Sequence, residues 1–452
     1  MLLGTSLNAS TSPFAIPNIR RFLAFRLLFG VRFYYPVFAI LFLDFGLTVG
    51  QFAVLNAVWA ATIVCCEVPS GALADVVGRR ALVVTAGALM VMEIALLCFV
   101  PLDHPEWVFS AFLLNRMFSG LAEALASGAD EALAYDSLKA QNRAMDWPQV
   151  LATLMRWNSL AFVAALTLGA FVYDAEALQR LLGAFGWAVT LDPQTTMRFP
   201  LYLTLATALG AWWAALGMTE PDQRPLHAQG LWVTVRHAGR ATLDAGRWIL
   251  ATPFAWVVIA SGMLFDHLAR LFVTLNSTYL RLIDLPEVSF GLIGAGIALM
   301  GVGIARLAPA LTAYSPQLNF ALLATLCLVG LAGAALVLPF GLGLIPVALI
   351  HIVLLLTGYL VSHYLNAITD SAQRATVLSF KGLAFNLGYG ALGLLYAALL
   401  VGLRDRSLQD EAAVFQASLP WLLGYGIILF VLFAGFVTLC SPANTVKQPE
   451  PD

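Results

Sequence analysis

The stretch Glu67-Val68-Pro69-Ser70-Gly71-Ala72-Leu73-Ala74-Asp75-Val76-Val77-Gly78-Arg79-Arg80 decides the fold. It sits between two long apolar runs and puts glycines, one acid and an arginine pair at their junction. Small residues let neighbouring helices approach closely, Asp75 can cap the following helix at its positive end, and the arginines can stay at headgroup level. The segment reads as a tight turn between two membrane helices.

Composition leads to the same class. Of the 452 residues 60% are hydrophobic and only 11% charged, with a mean hydropathy of +0.83, whereas soluble domains carry about 25% charged residues. The chain is a polytopic membrane protein. A net charge of -2 without any long Lys/Arg block gives no case for nucleic acid. Cys65, Cys66, Cys98, Cys327 and Cys440 lie in or beside apolar segments without metal-ligand spacing, so they read as packing residues, and no metal or cofactor is implied. The polar segment from Met1 to Asn18 leads into Arg20-Arg21 and a long apolar run without a small-residue cleavage site, which reads as an uncleaved first helix.

Apolar stretches of about 20 residues bounded by charge or turn chemistry occur at 22–43, 49–73, 81–100, 107–135, 148–172, 198–217, 253–279, 288–309, 318–340, 345–367, 376–402 and 419–440. The expected fold is all-α, twelve transmembrane helices in two six-helix bundles. The N-terminal bundle takes residues 1–218, a linker 219–247, and the C-terminal bundle 248–452. Within the linker, Trp232, Val235 and Arg236 recur at helical spacing and predict an interfacial amphipathic helix. The connection from Asp174 to Thr196 is long enough for a short surface helix through Leu178, Leu181, Leu182 and Phe185, either a lid or a packing insert. Arginines 20, 21, 79, 80, 236, 240 and 247, with Lys139 and Arg143, fall on one side, against Arg180, Arg198, Arg281, Arg404 and Arg406 on the other. That asymmetry predicts both termini in the cytoplasm.

The motif Gly71-x-x-x-Asp75-x-x-Gly78-Arg79-Arg80 resembles the signature loop of the major facilitator superfamily, with every position filled. Arg116 and Gly120 resemble that family's fourth-helix motif, although Ser119 stands where many antiporters have glutamine, and the fifth helix, Leu160 to Phe171, lacks the antiporter Gly-Pro pair. The resemblance implies a secondary transporter that moves a small solute by alternating access, coupled to protons, working as a monomer in a bacterial inner membrane. It further implies that Gly71, Asp75, Gly78, Arg79, Arg80 and Asp136 form a conformational latch, with Arg79 paired to Asp136 and with Asp130 and Glu131 as competing acids for the same bridge.

The remaining candidates are charges that the bilayer makes costly, at least ~2.5–3.5 kcal/mol each near the membrane centre. Helix 4 repeats Arg116, Gly120, Glu123, Ser127, Asp130 and Glu131 on one face. Glu123 is the first candidate for proton carriage and Asp266 the second, with Arg116 and His267 as companions. Arg32, about ten residues into helix 1, needs Glu67, Glu123 or an anionic ligand as counter-charge, while Arg26 can snorkel. Isolated Glu93 reads as peripheral. Arg32, Tyr35, Glu67, Arg156, Asn158, Arg270, His363, Asn366 and Asn386 are the substrate-cavity candidates. Asp266 and Arg270, one turn apart, can satisfy each other. The excess of deep arginines over deep acids favours an anionic or amphiphilic solute. The rival readings are a multidrug exporter with a greasy aromatic cavity and a non-transporting membrane sensor or scaffold. The glycines of helix 11, Gly382, Gly388, Gly390 and Gly393, are expected to pack against the Asp75 region.

Overall fold

The computed structural model describes residues 12–187, 189–220, 231–368, 374–404 and 410–440. Among them are twelve helices long and apolar enough to cross a membrane. Helices 1 to 6 run over Pro17–Asp44, Val49–Gly71, Arg79–Phe99, Pro105–Lys139, Ala144–Tyr173 and Pro193–Gly217. Helices 7 to 12 run over Pro253–Thr274, Val288–Leu311, Pro316–Ala335, Gly341–Leu365, Phe380–Arg404 and Glu411–Gly435. The expected spans are all present. The largest differences in their ends arise where polar caps extend a helix past its apolar window, as where Asp410 accepts from Ala413 N–H at the start of helix 12. The end of the molecule that carries the Gly78 turn is called here the loop end, and the opposite one the far end.

Several helices are interrupted. Helix 1 is α-helical over Pro17–Gly30, leaves helical geometry at Val31, and resumes through a 3-10 turn at Tyr35–Val37 into Phe38–Asp44. Pro36 disfavours a continuous helix because its ring crowds the preceding residue. Backbone groups freed inside a bilayer need protein partners, and neighbouring helices supply them. Thr204 Oγ1 on helix 6 accepts from Phe33 N–H at 3.1 Å. Ser277 Oγ accepts from Ala39 and Ile40 N–H at 3.0 and 3.2 Å. Ser277 itself lies in Asn276–Leu282, the short helix that follows the end of helix 7, so the two interruptions hold each other. Helix 4 breaks at Gly128, whose φ of +77° places it in the left-handed region. The polar face read along helix 4 is therefore not continuous: Ser127 and Gly128 reset the register, and Asp130 and Glu131 open a new helix at Ala129.

The two sets of six helices meet closely at the far end. A Cβ on Gly291 of helix 8 would lie 2.3 Å from the Leu166 carbonyl oxygen of helix 5. On the other side of the molecule, Gly393 and Gly390 of helix 11 lie against Ala53 and Ala57 of helix 2. This corrects the expected packing: these glycines meet the far half of helix 2 rather than the Asp75 region, while Gly388 meets Met263 and Gly382 has nothing within 4 Å of its Cβ position. Toward the loop end, by contrast, every residue from Met155 to Leu160 is exposed around the full circumference of helix 5. A helix exposed on all sides inside a bundle has lipid on one flank and open space on the other. The halves thus converge at the far end and diverge at the loop end.

Both connections contain a helix. The linker helix, Leu231–Ala251, rests its Gly246 against the Phe380 ring and leaves Trp232, Arg236 and Leu243 exposed. Ala175–Ala184 forms the short helix after helix 5, capped by Asp174 through Ala177 N–H at 2.9 Å.

Helix 5 also presses on the helix 1 break: a Cβ at Gly169 would lie 1.7 Å from the Phe33 carbonyl oxygen, a backbone atom that cannot move aside cheaply. Gly169→Ala is expected to destabilise the protein by about 1–3 kcal/mol or more. Gly183→Ala, in a surface helix with open space at the Cβ position, should be neutral or stabilising by about 0.4–1 kcal/mol. Thermal denaturation of the two variants in detergent checks the contrast.

Candidate functional site

The signature loop turns at Gly78, where φ of +95° favours glycine. Arg79 pairs with Asp136 at the end of helix 4 as expected. Arg80 reaches the other way: its Nε and Nη2 donate to the carbonyl oxygens of Met218 at 2.6 Å and Leu216 at 3.0 Å, at the negative end of helix 6. The carboxylate that accepts from the Arg80 backbone N–H, at 2.9 Å, is Glu220. The helix 3 cap is therefore this acid from the segment after helix 6 instead of Asp75, because the N-cap position itself is Gly78 and has no side chain. Gly71 stands exposed with open space around it. The Asp75 side chain lies outside the described residues. These contacts join helices 3, 4 and 6 of one half, and none of them crosses to the other half.

Deeper in that half the structure corrects the sequence reading twice. Arg32, 5% exposed, pairs with Glu93, which is wholly buried, so the acid expected to be peripheral is the counter-charge, in place of Glu67 or Glu123. Helix 3 turns its Glu93 inward toward the helix 1 break, where it meets Arg32. Arg26 does not simply snorkel either. It lies 3.1 Å from both Asp130 and Glu131, the acids that open the second segment of helix 4. Asn115 links the charges: its amide nitrogen donates to the Glu93 backbone carbonyl at 2.9 Å, and its Oδ1 accepts from Arg116 Nε and Nη2 at 2.9 and 2.7 Å. Arg116 also lies over the Phe38 and Phe42 rings at 5.3 and 5.6 Å. Its companion Gly120 has no room for a side chain, since a Cβ would sit 2.9 Å from Thr62.

A cavity of about 220 Å³ gathers Arg26, Arg32, Tyr35, Glu123 and Asn158, with Phe29, Gly30 and Leu154 completing its walls. Asn158 also lines an adjoining apolar cleft of about 350 Å³ that reaches Ala298, Leu299 and Val302 of helix 8 in the other half. Glu67 and Arg156 are not among the lining residues of either space.

In the second half, Arg270 spans Asp266 and Asn386, at 2.8 Å each, and lies 5.4 Å over the Tyr389 ring. Tyr389 in turn donates to Thr274 Oγ1 at 3.3 Å. His267 is held separately, by the Met263 carbonyl at 2.6 Å and the Tyr425 hydroxyl at 3.2 Å, so both ring nitrogens are occupied by packing partners. His363 stacks on Tyr359 with an interplanar angle of 5°. The Asn366 side chain lies outside the described residues. Among the described residues no group of three or more His, Cys, Asp or Glu side chains could hold a metal ion.

The sequence reading missed the far-end cluster. Arg281 donates from Nη1 and Nη2 to Asp44 at 2.8 Å each, and its Nη2 reaches Glu287 at 2.5 Å. Tyr173 donates to the same Asp44, and Asp174 accepts from Val288 N–H at 3.1 Å. Glu411, paired with Arg404, accepts from Val49 N–H at 3.0 Å. Burial raises the Glu287 carboxyl above its ordinary range against the opposing pull of Arg281. Each of these residues ends a span and reads as an ordinary interfacial charge. Three of these contacts, Arg281 with Asp44, Val288 N–H with Asp174 and Val49 N–H with Glu411, join opposite halves, which is invisible without the fold.

No family model and no curated protein matches the sequence. Solved structures do. The nucleoside transporter NupG aligns with a TM-score of 0.68 at 15% identity over 94% of this chain and 99% of that one. A D-xylose-proton symporter aligns at 0.64 and 14%, over 96% and 98%. A bacterial homolog of the human lysosomal transporter Spinster, in an inward-facing and occupied conformation, aligns at 0.61 and 12%, over 95% and 97%. The chain has the major facilitator fold.

Removing one partner of a buried ion pair leaves an uncompensated charge and costs about 3–5 kcal/mol. Arg32→Ala should therefore lower the unfolding free energy by roughly that amount, and Arg32→Met combined with Glu93→Leu should recover most of it. A double-mutant cycle on thermal stability measures the coupling between the two residues.

Proposed function

We propose that this protein is a secondary transporter that moves a small solute by alternating access. Residues 1–218 and 248–452 act as the two moving bundles, with 219–247 as their linker. The observation that carries the reading is the polar cavity of Arg26, Arg32, Tyr35, Glu123 and Asn158, set between an end locked by the Asp44–Arg281–Glu287 cluster and an end where helices 5 and 8 have parted. The distribution of lysine and arginine favours a cytoplasmic loop end and cytoplasmic termini, and in that orientation the conformation is inward-facing. Superposition on an inward-facing transporter across 95% of the chain supports that reading.

In this reading the signature loop braces its own half. Arg79 with Asp136 and Arg80 with the end of helix 6 make helices 3, 4 and 6 move as one body, and the conformational latch lies in that rigidity. Arg26 and Arg32 line the cavity beside Glu123 while paired with Asp130, Glu131 and Glu93 behind it, and the favoured solute is an anionic or amphiphilic one that competes for these guanidinium groups. Glu123 is the proton-carriage candidate of the first half. The Asp266–Arg270–Asn386 group supplies the matching site in the second. The protein works as a monomer in a bacterial inner membrane.

Ligand binding raises stability by RT ln(1 + [L]/Kd), about 2.7 kcal/mol at a hundredfold excess over Kd. Organic anions are expected to raise the melting temperature of the wild-type protein in detergent, and the increment should vanish in Arg32→Ala. Stabilisation by lipophilic cations, equal in both proteins, would overturn the anionic reading in favour of multidrug export. Neutralising the far-end cluster with Asp44→Asn should expose far-end cysteine probes to impermeant thiol reagents at several times the wild-type rate; an unchanged rate would remove the gate.

A further inference from the structure

We infer that Arg32 is exchanged between Glu93 and an anionic group of the solute, and that Glu93 takes up a proton when Arg32 leaves it. The inference rests on the anionic-solute reading above and names the site where that solute and a proton are linked.

The Glu93 carboxylate is held in an unusual way. The residue is wholly buried, one oxygen pairs with Arg32, and the other, Oε2, has no hydrogen-bond partner. Asn115 bonds the Glu93 backbone carbonyl and not its carboxylate. Of the charged or titratable groups around it, helix 1 brings Arg32, Tyr34 and Tyr35, and helix 4 brings Arg116 and, at the cavity, Glu123. Helix 6 has no charged side chain between residues 199 and 217. Arg116 is engaged by Asn115 and Arg26 by Asp130 and Glu131, so the charge of Glu93 depends on Arg32 alone. An ionised carboxylate deprived of its one partner in a dry site neutralises itself by binding a proton.

Arg32 has two faces. It pairs with Glu93 inside the protein and also forms part of the cavity wall beside Arg26, Tyr35 and Asn158. It sits where the backbone of helix 1 has left the α-helix, the place in that helix where a side chain can be redirected without breaking a hydrogen-bonded ladder. An anion in the cavity competes with Glu93 for the guanidinium. When the anion wins, Glu93 takes up one proton from solvent, and Arg32 keeps its own protons. A single negative charge enters with a single proton, so the net charge of the site is unchanged. No covalent bond of the solute is altered.

The test uses the purified full chain in detergent, weakly buffered near neutral pH, with benzoate, succinate and inorganic phosphate as probes. Binding is measured by calorimetry and proton uptake by an indicator dye. Wild type should take up about one proton for each anion bound, by linkage between the two equilibria. Glu93→Gln should lose that uptake and bind about tenfold more tightly, because Arg32 is no longer withheld by a competing carboxylate. Undiminished proton uptake in Glu93→Gln, or loss of anion binding in a folded Glu93→Gln, overturns the exchange while leaving the anionic reading in place. If none of the three anions binds wild type, the anionic reading falls and the exchange with it. A second measurement needs no ligand. Infrared spectra of Arg32→Ala should gain the carbonyl band of a protonated carboxylic acid that Arg32→Ala combined with Glu93→Gln lacks. Absence of that difference overturns the assignment of the proton to Glu93.

Discussion

A charge inside a bilayer is costly without a partner, and the pairing of Arg32 with Glu93 is where this chain meets that constraint. The pair joins helix 1 to helix 3 at the level where helix 1 stops being helical. Around it the unpaired backbone of the break is taken up by Thr204 on helix 6 and Ser277 beyond helix 7, and Gly169 of helix 5 is pressed against the Phe33 carbonyl. A continuous helix 1 would need none of these contacts. The interruption thus organises four other helices, and it sets Arg32 and Tyr35 at the wall of the polar cavity.

Most of the fold was legible in the sequence, because a bilayer permits few structures. Apolar runs of about 20 residues must be helices, and the Gly71–Arg80 turn sets the hairpin between the second and third. The pairing of Arg79 with Asp136 and of Asp266 with Arg270 was also readable, the first from a motif and the second from one-turn spacing. What sequence could not supply was the direction a lone residue faces. Glu93 has no polar neighbour at i±3 or i±4 to mark an inward face, so it looked peripheral. Its partner is 61 positions away. Helix 4 misled for the opposite reason: its polar residues have the right period, but Gly128 breaks the helix and turns Asp130 and Glu131 toward Arg26. The far-end cluster escaped because its members look like headgroup charges until helix ends from the two halves are brought together. Its partners are separated by as many as 362 positions.

The two ends of the molecule are built differently, and the difference suits a device that opens one end at a time. At the loop end the contacts of Arg79 with Asp136 and of Arg80 with the end of helix 6 lie within one half. The far end joins the halves through the Arg281–Asp44 ion pair, through Glu411 on Val49, and through the glycine contacts of helix 5 with helix 8 and helix 2 with helix 11. Partly exposed ion pairs are individually weak. Glycine contacts are tight but slide without breaking a bond. Such an interface closes well and still opens at modest cost.

The central claim is that the two ends open in alternation. Spin labels at residues 181 and 336 would report the far end, and labels at 155 and 307 the loop end, in a cysteine-free background with and without Arg281→Gln. Pulsed dipolar distances should show a longer far-end population in the variant, with a loop-end population shortened in step. Lengthening at the far end without any shortening at the loop end would contradict the account.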